Sequence, residues 1–266
     1  MPLSKVIRNS VLAACGIAAV SVAGVEVYRR FGPSTYKRFR TMFGRTRVYQ
    51  VADDDGAPVR LLEVGGIVQS GTYVDDERCY DLVFEYLKRY DIMFEMGIPV
   101  NRVLVLGCGG YDYPEHLIAH HPEVVVDAVE IDPSITDIAR RYFFLDRLIE
   151  EFETESTGRL NLICDDARAY LERGDALYDA IVNDTFDAGE PVPSLVGPDA
   201  ARAVCERLVD GGLYLTNIVS ALEGERSAFL WEQVAILEDV FASVQVLPCA
   251  TDSFSDEDNV IVVAQK

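Results

Sequence analysis

The sequence predicts an α/β protein: a doubly wound, mostly parallel sheet preceded by a small N-terminal β-meander. Three observations carry that expectation. The stretch Arg102–Asp132, RVLVLGCGGYDYPEHLIAHHPEVVVDAVEID, reads as a strand, a glycine turn, a helix and a second strand closing on an acid. That is the first half of a nucleotide-binding α/β unit. Strand and helix signals then alternate to the C-terminus, the pattern of a parallel sheet with helices on both faces. Upstream, Arg47–Val74 alternates in short β-prone runs punctuated by Asp55-Gly56 and Gly65-Gly66, which suits three antiparallel strands.

The elements divide the chain into an extension (1–44), the meander with a linking helix (45–97) and a nucleoside-binding α/β region (98–266). The first 50 residues hold nine Lys/Arg against one acid, Glu26, while the rest holds 15 basic and 43 acidic residues within a net charge of −20. So acidic a body argues against nucleic acid as a partner and suits a small polycation, or serves solubility alone. Residues 11–27, VLAACGIAAVSVAGVEV, are almost uninterruptedly apolar between Lys5 and Arg8 on one side and Arg29 and Arg30 on the other. The run is short for a membrane span and reads as a signal-peptide core, a marginal anchor or a helix packed on the body, which makes it a candidate tether. If it inserts, the positive cluster Arg29–Arg47 keeps the body cytoplasmic. The six cysteines form no CxxC pair and read as reduced intracellular thiols. His116 and His120 can share a helix face, but the sequence suggests no third ligand, so no metal is expected.

A helix over Glu77–Met96, with Tyr80, Val83, Phe84, Leu87, Tyr90 and Phe94 as its apolar stripe, leads into the central unit. After Glu130 a helix is expected over Ser134–Leu145, opened by Asp132-Pro133. Strands follow at Leu160–Cys164, Ala180–Asn183 and Leu213–Ile218, with helices at Ala167–Glu172, Asp199–Leu208 and Ala228–Phe241. Two late runs, Val244–Leu247 and Val260–Ala264, suit an antiparallel hairpin at one edge of the sheet.

In such a sheet, ligands bind beyond the carboxyl ends of the strands. Gly107 and Gly109 let the backbone approach a ligand there. Asp112 stands where the third glycine of a phosphate fingerprint would be, and its charge would repel a pyrophosphate. The site therefore suits a nucleoside without phosphates, such as S-adenosylmethionine and its relatives. Glu130, at the tip of the second strand, can hold both hydroxyls of a ribose. Asp165 and Asp166 end the third strand, and Asp184 with Asp187 the fourth, so every one of the first four strands brings an acid to one rim. Paired carboxylates can hold a cationic amine, and one can take its proton. A primary amine, with a pKa of about 10, becomes a nucleophile only after that loss. Beside a sulfonium donor, Asp184 and Asp187 would thus suit alkyl transfer to an amine; as plain structure, Asp184 caps its strand and Asp187 is solvated.

From Tyr49 onward these residues resemble the spermidine synthase family of aminopropyltransferases, which is built on the class I S-adenosylmethionine methyltransferase-like fold. Tyr49-Gln50 resembles the family's Tyr-Gln, and LEVGGIVQSGTY its Leu-Asp-Gly-x-x-Gln turn, which implies cofactor contacts for Gln50 and Gln69. Val129-Glu130-Ile131-Asp132 matches the family's Val-Glu-Ile-Asp, assigning the ribose to Glu130, and CDDARAYL puts Asp166 near the adenine amino group. YDAIVNDTFDAGEP resembles the family loop in which Asp184 is the proton acceptor and Asp187 an amine ligand. Tyr80 resembles a tyrosine beside the polyamine. The family's glycine loop carries an aspartate for the aminopropyl ammonium where this chain has Gly110, and a proline where it has Ala188. The resemblance implies decarboxylated S-adenosylmethionine as co-substrate, a small polyamine partner, no metal and a homo-oligomer. Two other readings stay open: a methyltransferase using intact S-adenosylmethionine, with Gly110 admitting its carboxylate, and a catalytically silent scaffold.

Overall fold

In the computed structural model, residues 37–187, 190–249 and 254–266 are described. Four antiparallel strands come first: β1 (Lys37–Thr41), β2 (Gly44–Ala52), β3 (Pro58–Val64) and β4 (Ile67–Tyr73), paired in that order. The sequence reading had three strands from Arg47. β1 was missed because it is an edge strand, and its KRFR run lacks the apolar alternation by which a strand is read. Lysine and arginine on an unpaired edge also oppose further strand addition.

The expected helix over Glu77–Met96 shrinks to α1 (Glu85–Arg89) followed by a 3-10 turn, Tyr90–Phe94. Acid-rich turn chemistry takes the earlier residues. The Asp75 carboxylate accepts from the Glu77 amide at 2.8 Å, an alternative to helical hydrogen bonding that aspartate offers its own backbone.

The second sheet has seven strands. β5 (Arg102–Leu106), β6 (Val125–Glu130), β7 (Leu160–Cys164), β8 (Tyr178–Asn183) and β11 (Leu208–Ser220) are parallel. β13 (Asp258–Gln265) runs antiparallel between β11 and the edge strand β12 (Ser243–Pro248), giving the order β12-β13-β11-β8-β5-β6-β7. The doubly wound sheet and its terminal hairpin are thus present as the alternation predicts. Two-residue strands β9 (Phe186–Asp187) and β10 (Glu190–Pro191) pair in the loop after β8.

Because side chains alternate along a strand, β5 sends Val103 and Val105 to one core and Leu104 and Leu106 to the other. The first core also takes the four-stranded sheet with α2 (Asp112–His120), α3 (Pro133–Tyr142) and α4 (Leu145–Glu151). A single turn, α5 (Thr154–Thr157), precedes β7. The second core takes α6 (Ala167–Arg173), α7 (Pro198–Glu206) and α8 (Ala228–Glu238). The helix expected through Leu145 breaks at Phe144, whose φ is +69°. Arg60 donates to the Tyr142 carbonyl and lies over the Phe144 ring, closing the end of α3.

Asp132, fully buried, joins the two sheets. Its Oδ1 caps α3 by accepting from the Ser134 amide at 2.9 Å, and its Oδ2 accepts from the Met42 amide at 2.6 Å. Asp132→Ala removes a cap and leaves the Met42 amide without its carboxylate, so unfolding stability should fall by about 2–3 kcal/mol. Urea denaturation of the variant checks this, and a loss under about 0.5 kcal/mol, the range of inconsequential surface changes, would refute it.

Residues 11–27, the candidate tether, lie outside the described residues. Among those described, no helix is long and apolar enough to cross a membrane.

Candidate active site

The chain leaves β5 toward β6 and β7 on one side and later fills β8 and β11 on the other. A crevice therefore opens beyond β5 and β8, where ligands bind in doubly wound sheets. The neighbouring strand ends bring Gly107 and Asp184 together: Leu106 pairs with Asn183, and the Asp184 amide donates to the Leu106 carbonyl at 2.9 Å. Gly107 has a φ of +77°, and a Cβ there would stand 2.7 Å from the Asp184 carbonyl oxygen. Only glycine meets both demands without displacing the Asp184 backbone.

Two cavities share this wall. One is lined by Glu130, Ile131, Asp165 and Asp166 from the sheet rim and by Leu62 and Val64 from the meander. The other is lined by Phe84, Tyr86, Tyr90, Asp112, Tyr113 and Asn217. Gln69, Gly107, Gly109, Asp184 and Phe186 line both.

Gln69 reaches the shared wall through a β-bulge. Leu62 pairs with Ser70 and Glu63 with Val68, leaving Gln69 as the extra residue. Bulges commonly re-aim a side chain beside an active site. Gly110 and the meander are held together by the Gly110 amide, which donates to Ser70 Oγ at 2.6 Å.

Glu130 is buried. Its Oε1 accepts from the Asp132 amide at 2.9 Å and its Oε2 from the Cys108 amide at 3.2 Å. Burial raises its pKa, while these amides, with that of Gly109, pull it down. Asp166 does two things: its Oδ1 caps α6 by accepting from the Ala169 amide at 2.8 Å, and the residue also lines the first cavity.

Asp184 accepts from the Tyr86 hydroxyl at 3.0 Å on Oδ2 and from Asn217 Nδ2 at 3.0 Å on Oδ1. Burial raises its pKa and these donors oppose the rise. The buried hydroxyl of Tyr90, in the same cavity, also acts on Asp184 and lowers its pKa.

Asp112 opens α2 beneath the glycine loop. Its Oδ2 accepts from the Gly71 amide at 2.8 Å, the Ser70 hydroxyl acts on the same carboxylate, and Oδ1 is buried with no hydrogen-bond partner among the described residues. Burial pushes this carboxyl up to about 7. In the unfolded chain it titrates near about 3.9. Between those values the native state holds a proton that the unfolded state has released. Stability therefore declines as pH rises from about 4 to about 7, the Asp112 share being fully lost above its native pKa. Asp112→Asn should flatten that part of the slope and raise the midpoint at pH 8 relative to the parent, as read by thermal melts across pH. An unchanged slope would remove Asp112 from this role.

Two expected site residues lie elsewhere. Tyr80 lines neither cavity: its hydroxyl donates to Glu151 Oε2 at 3.1 Å and its ring packs edge-on against Phe152. With α1 beginning only at Glu85, Tyr80 is on the preceding turn, and Tyr86 takes the position beside Asp184. Gln50 also lines neither cavity. It shares a face of the meander with Leu62 but sits one pair further on, opposite Arg60. The backbone of Asp187 pairs with Glu190 in the loop after Asp184, and its side chain lies outside the described residues. The sequence reading missed Tyr86 and Asn217 and assigned Tyr90 to core packing. Aromatic residues at helical spacing carry the same signal whether they face a core or a cavity.

No protein-family model matches the chain. A polyamine aminopropyltransferase of Vibrio vulnificus is 34% identical over 162 residues, 59% of this chain and 50% of that protein. An eEF1A lysine and N-terminal methyltransferase homolog of Drosophila pseudoobscura is 28% identical over 169 residues, 56% of this chain and 23% of that protein. The chain thus matches half or less of the length of these curated relatives. Among solved structures, a probable spermidine synthase from Corynebacterium glutamicum superposes with a TM-score of 0.70 at 18% identity, covering 86% of this chain and 79% of that one. By its fold, its VEID strand end and these matches, the chain is similar to the spermidine synthase family.

Proposed function

We propose that this protein is a polyamine aminopropyltransferase, moving an aminopropyl group from decarboxylated S-adenosylmethionine to a putrescine-like di- or polyamine and releasing methylthioadenosine. The observation that carries this reading is the pair of cavities meeting at Asp184, one rimmed by Glu130 and Asp166, the other by acids and tyrosine hydroxyls. The first suits a ribose and adenine. The second suits a chain of ammonium and methylene groups, because tyrosine rings cover the methylenes while carboxylates and hydroxyls take the nitrogens.

Asp112 supplies the charge that Gly110 lacks. A Cβ at Gly110 would stand 2.8 Å from Ser70 Cβ, 2.9 Å from Asp112 Oδ1 and 3.0 Å from Phe143 Cδ1, so this loop has no room for the family's aspartate. The carboxylate comes instead from the first turn of α2, with its free Oδ1 able to accept from the donor's ammonium. Such a contact favours the ionised form of Asp112 and relieves an unpaired buried oxygen.

In the reaction, Asp184 takes a proton from the acceptor ammonium. The freed nitrogen lone pair forms a bond to the methylene next to sulfur, and the carbon–sulfur electrons return to sulfur, leaving it neutral. A carboxylate whose pKa is raised is the better base for an amine, and Tyr86 and Asn217 hold it in place. Orientation of the two reactants supplies most of the remaining effect.

The experiment is a mass-spectrometric assay of the purified chain with decarboxylated or intact S-adenosylmethionine and a panel of diamines. The expected products are methylthioadenosine and an aminopropylated amine. S-adenosylhomocysteine from the intact cofactor would overturn the proposal in favour of methyl transfer. The absence of either product, with no binding of methylthioadenosine, would favour a silent scaffold.

A further inference from the structure

Of the three histidines of the chain, His116 and His120 lie on α2 and His121 directly follows it. The sequence placed two of them on one helix face and supplied no third ligand. The fold supplies one from a distant segment. Asp91, in the 3-10 turn that follows α1, meets His116 with Oδ2 3.0 Å from Nε2. A donor atom from each of Asp91, His116 and His121 lies within 4.8 Å of the other two.

We propose that Asp91, His116 and His121 form a binding site for a single divalent transition-metal ion of the zinc class. Two imidazoles and a carboxylate are the donor types zinc takes in sites that keep one position for water. The His116–Asp91 separation is close to the edge of a tetrahedron with bonds of about 2.0–2.1 Å, about 3.3–3.4 Å. Little movement of these two groups is therefore required.

The surroundings are those of a supported ligand set. The Asp91 carboxylate uses its other oxygen, Oδ1, to accept from the Tyr113 hydroxyl at 3.1 Å, the kind of outer contact that orients a metal-binding carboxylate. His121 is stacked on the Phe94 ring with centroids 3.8 Å apart, which holds its imidazole plane. With Nε2 of His116 engaged by Asp91, the ring's Nδ1 is buried and has no hydrogen-bond partner among the described residues. Nδ1 is thus an atom of this ligand set without an outer contact among the described residues. His120 is the neighbour rather than the ligand: its Nε2 faces Asp81 at 3.4 Å, with its ring centroid 4.6 Å from that of His116.

A metal here would tie the turn that begins with Tyr90 to the helix that begins with Asp112, and both of those residues line the second cavity. The site does not depend on the proposed reaction. Nitrogen and carboxylate donors without thiolate favour zinc, nickel or copper over magnesium or calcium.

The test is titration of the metal-stripped full chain with Zn²⁺ by calorimetry, with Co²⁺ as a visible-absorption reporter and Mg²⁺ as the control for charge alone. One Zn²⁺ per chain, tetrahedral cobalt bands and a raised melting temperature with zinc are expected. His121→Gln and Asp91→Asn, each checked for a parental circular-dichroism spectrum, should both abolish these effects, whereas Cys164→Ser, at an exposed thiol, should not. Absence of stoichiometric zinc binding overturns the proposal. So does binding that survives in both site variants, or binding that Mg²⁺ displaces at equal concentration.

Discussion

Asp184→Asn is expected to lower the rate of amine alkylation by about 10²–10⁴-fold, the usual contribution of a positioned general base. Asparagine keeps the shape and an acceptor for the Tyr86 hydroxyl but cannot take a proton. Methylthioadenosine affinity should stay close to the parental value, because Glu130 and Asp166 lie on the other side of the shared wall. The pH profile adds a second readout. Asp184 works only when ionised, and burial raises its pKa, so the parental rate should climb with pH through that raised pKa and then follow the amine. The acid limb belonging to Asp184 should disappear in the variant. Tyr86→Phe tests the support around it: losing a donor that pulls the Asp184 pKa down moves the acid limb to higher pH. A parental turnover in Asp184→Asn would show that no amine base is needed, the behaviour expected of a methyltransferase.

Gly107→Ala should damage both stability and activity. The residue has a φ of +77°, and the added Cβ would stand 2.7 Å from the Asp184 carbonyl oxygen and 3.0 Å from both the Asp184 carbonyl carbon and Thr185 Cγ2. Left-handed backbone costs a non-glycine residue about 1–2 kcal/mol, and forcing a methyl group into a packed site typically costs a further 1–3 kcal/mol. The expected loss is on the order of 3 kcal/mol, read as a fall in the urea midpoint. Since relief must come by moving the loop after β8, Asp184 should shift relative to Gly109 and Gln69. A displacement of about 1 Å can cost about 10²-fold in rate. Loss of stability with unchanged kcat would show that the loop moves as a unit and that the close approach serves packing alone. Gly56→Ala is the control, since it has a φ of +90° but nothing within 4 Å of its Cβ.

Much of this molecule is written in local pattern. The β-branched alternation of β5 and β6, the glycines between β5 and α2 and the acid closing β6 place one rim of the cleft before any coordinates are known. Glu130, Asp166 and Asp184 were legible for the same reason: each ends a strand or opens the next turn, and a parallel sheet brings such ends to one rim. β1 and the start of α1 were not legible. A charged edge strand lacks the apolar period that marks a strand, and aspartate turn chemistry broke a helix that the aromatic spacing suggested.

The second cavity came only with tertiary structure. Tyr86 and Asn217 reach Asp184 across 98 and 33 residues of chain, a pairing set by which elements are neighbours and not by any spacing within one segment. Gln69 owes its direction to a one-residue bulge, and Tyr80 lost its expected place when the helix started late. Asp91 meets His116 in the same way, 25 residues apart and on different elements. Hydrophobic period and turn chemistry act over a few residues, so sequence alone determines the sheet, its order of elements and the acids along its rim. Which side chains face one another across the cleft depends on packing between elements, and only the folded chain decides that.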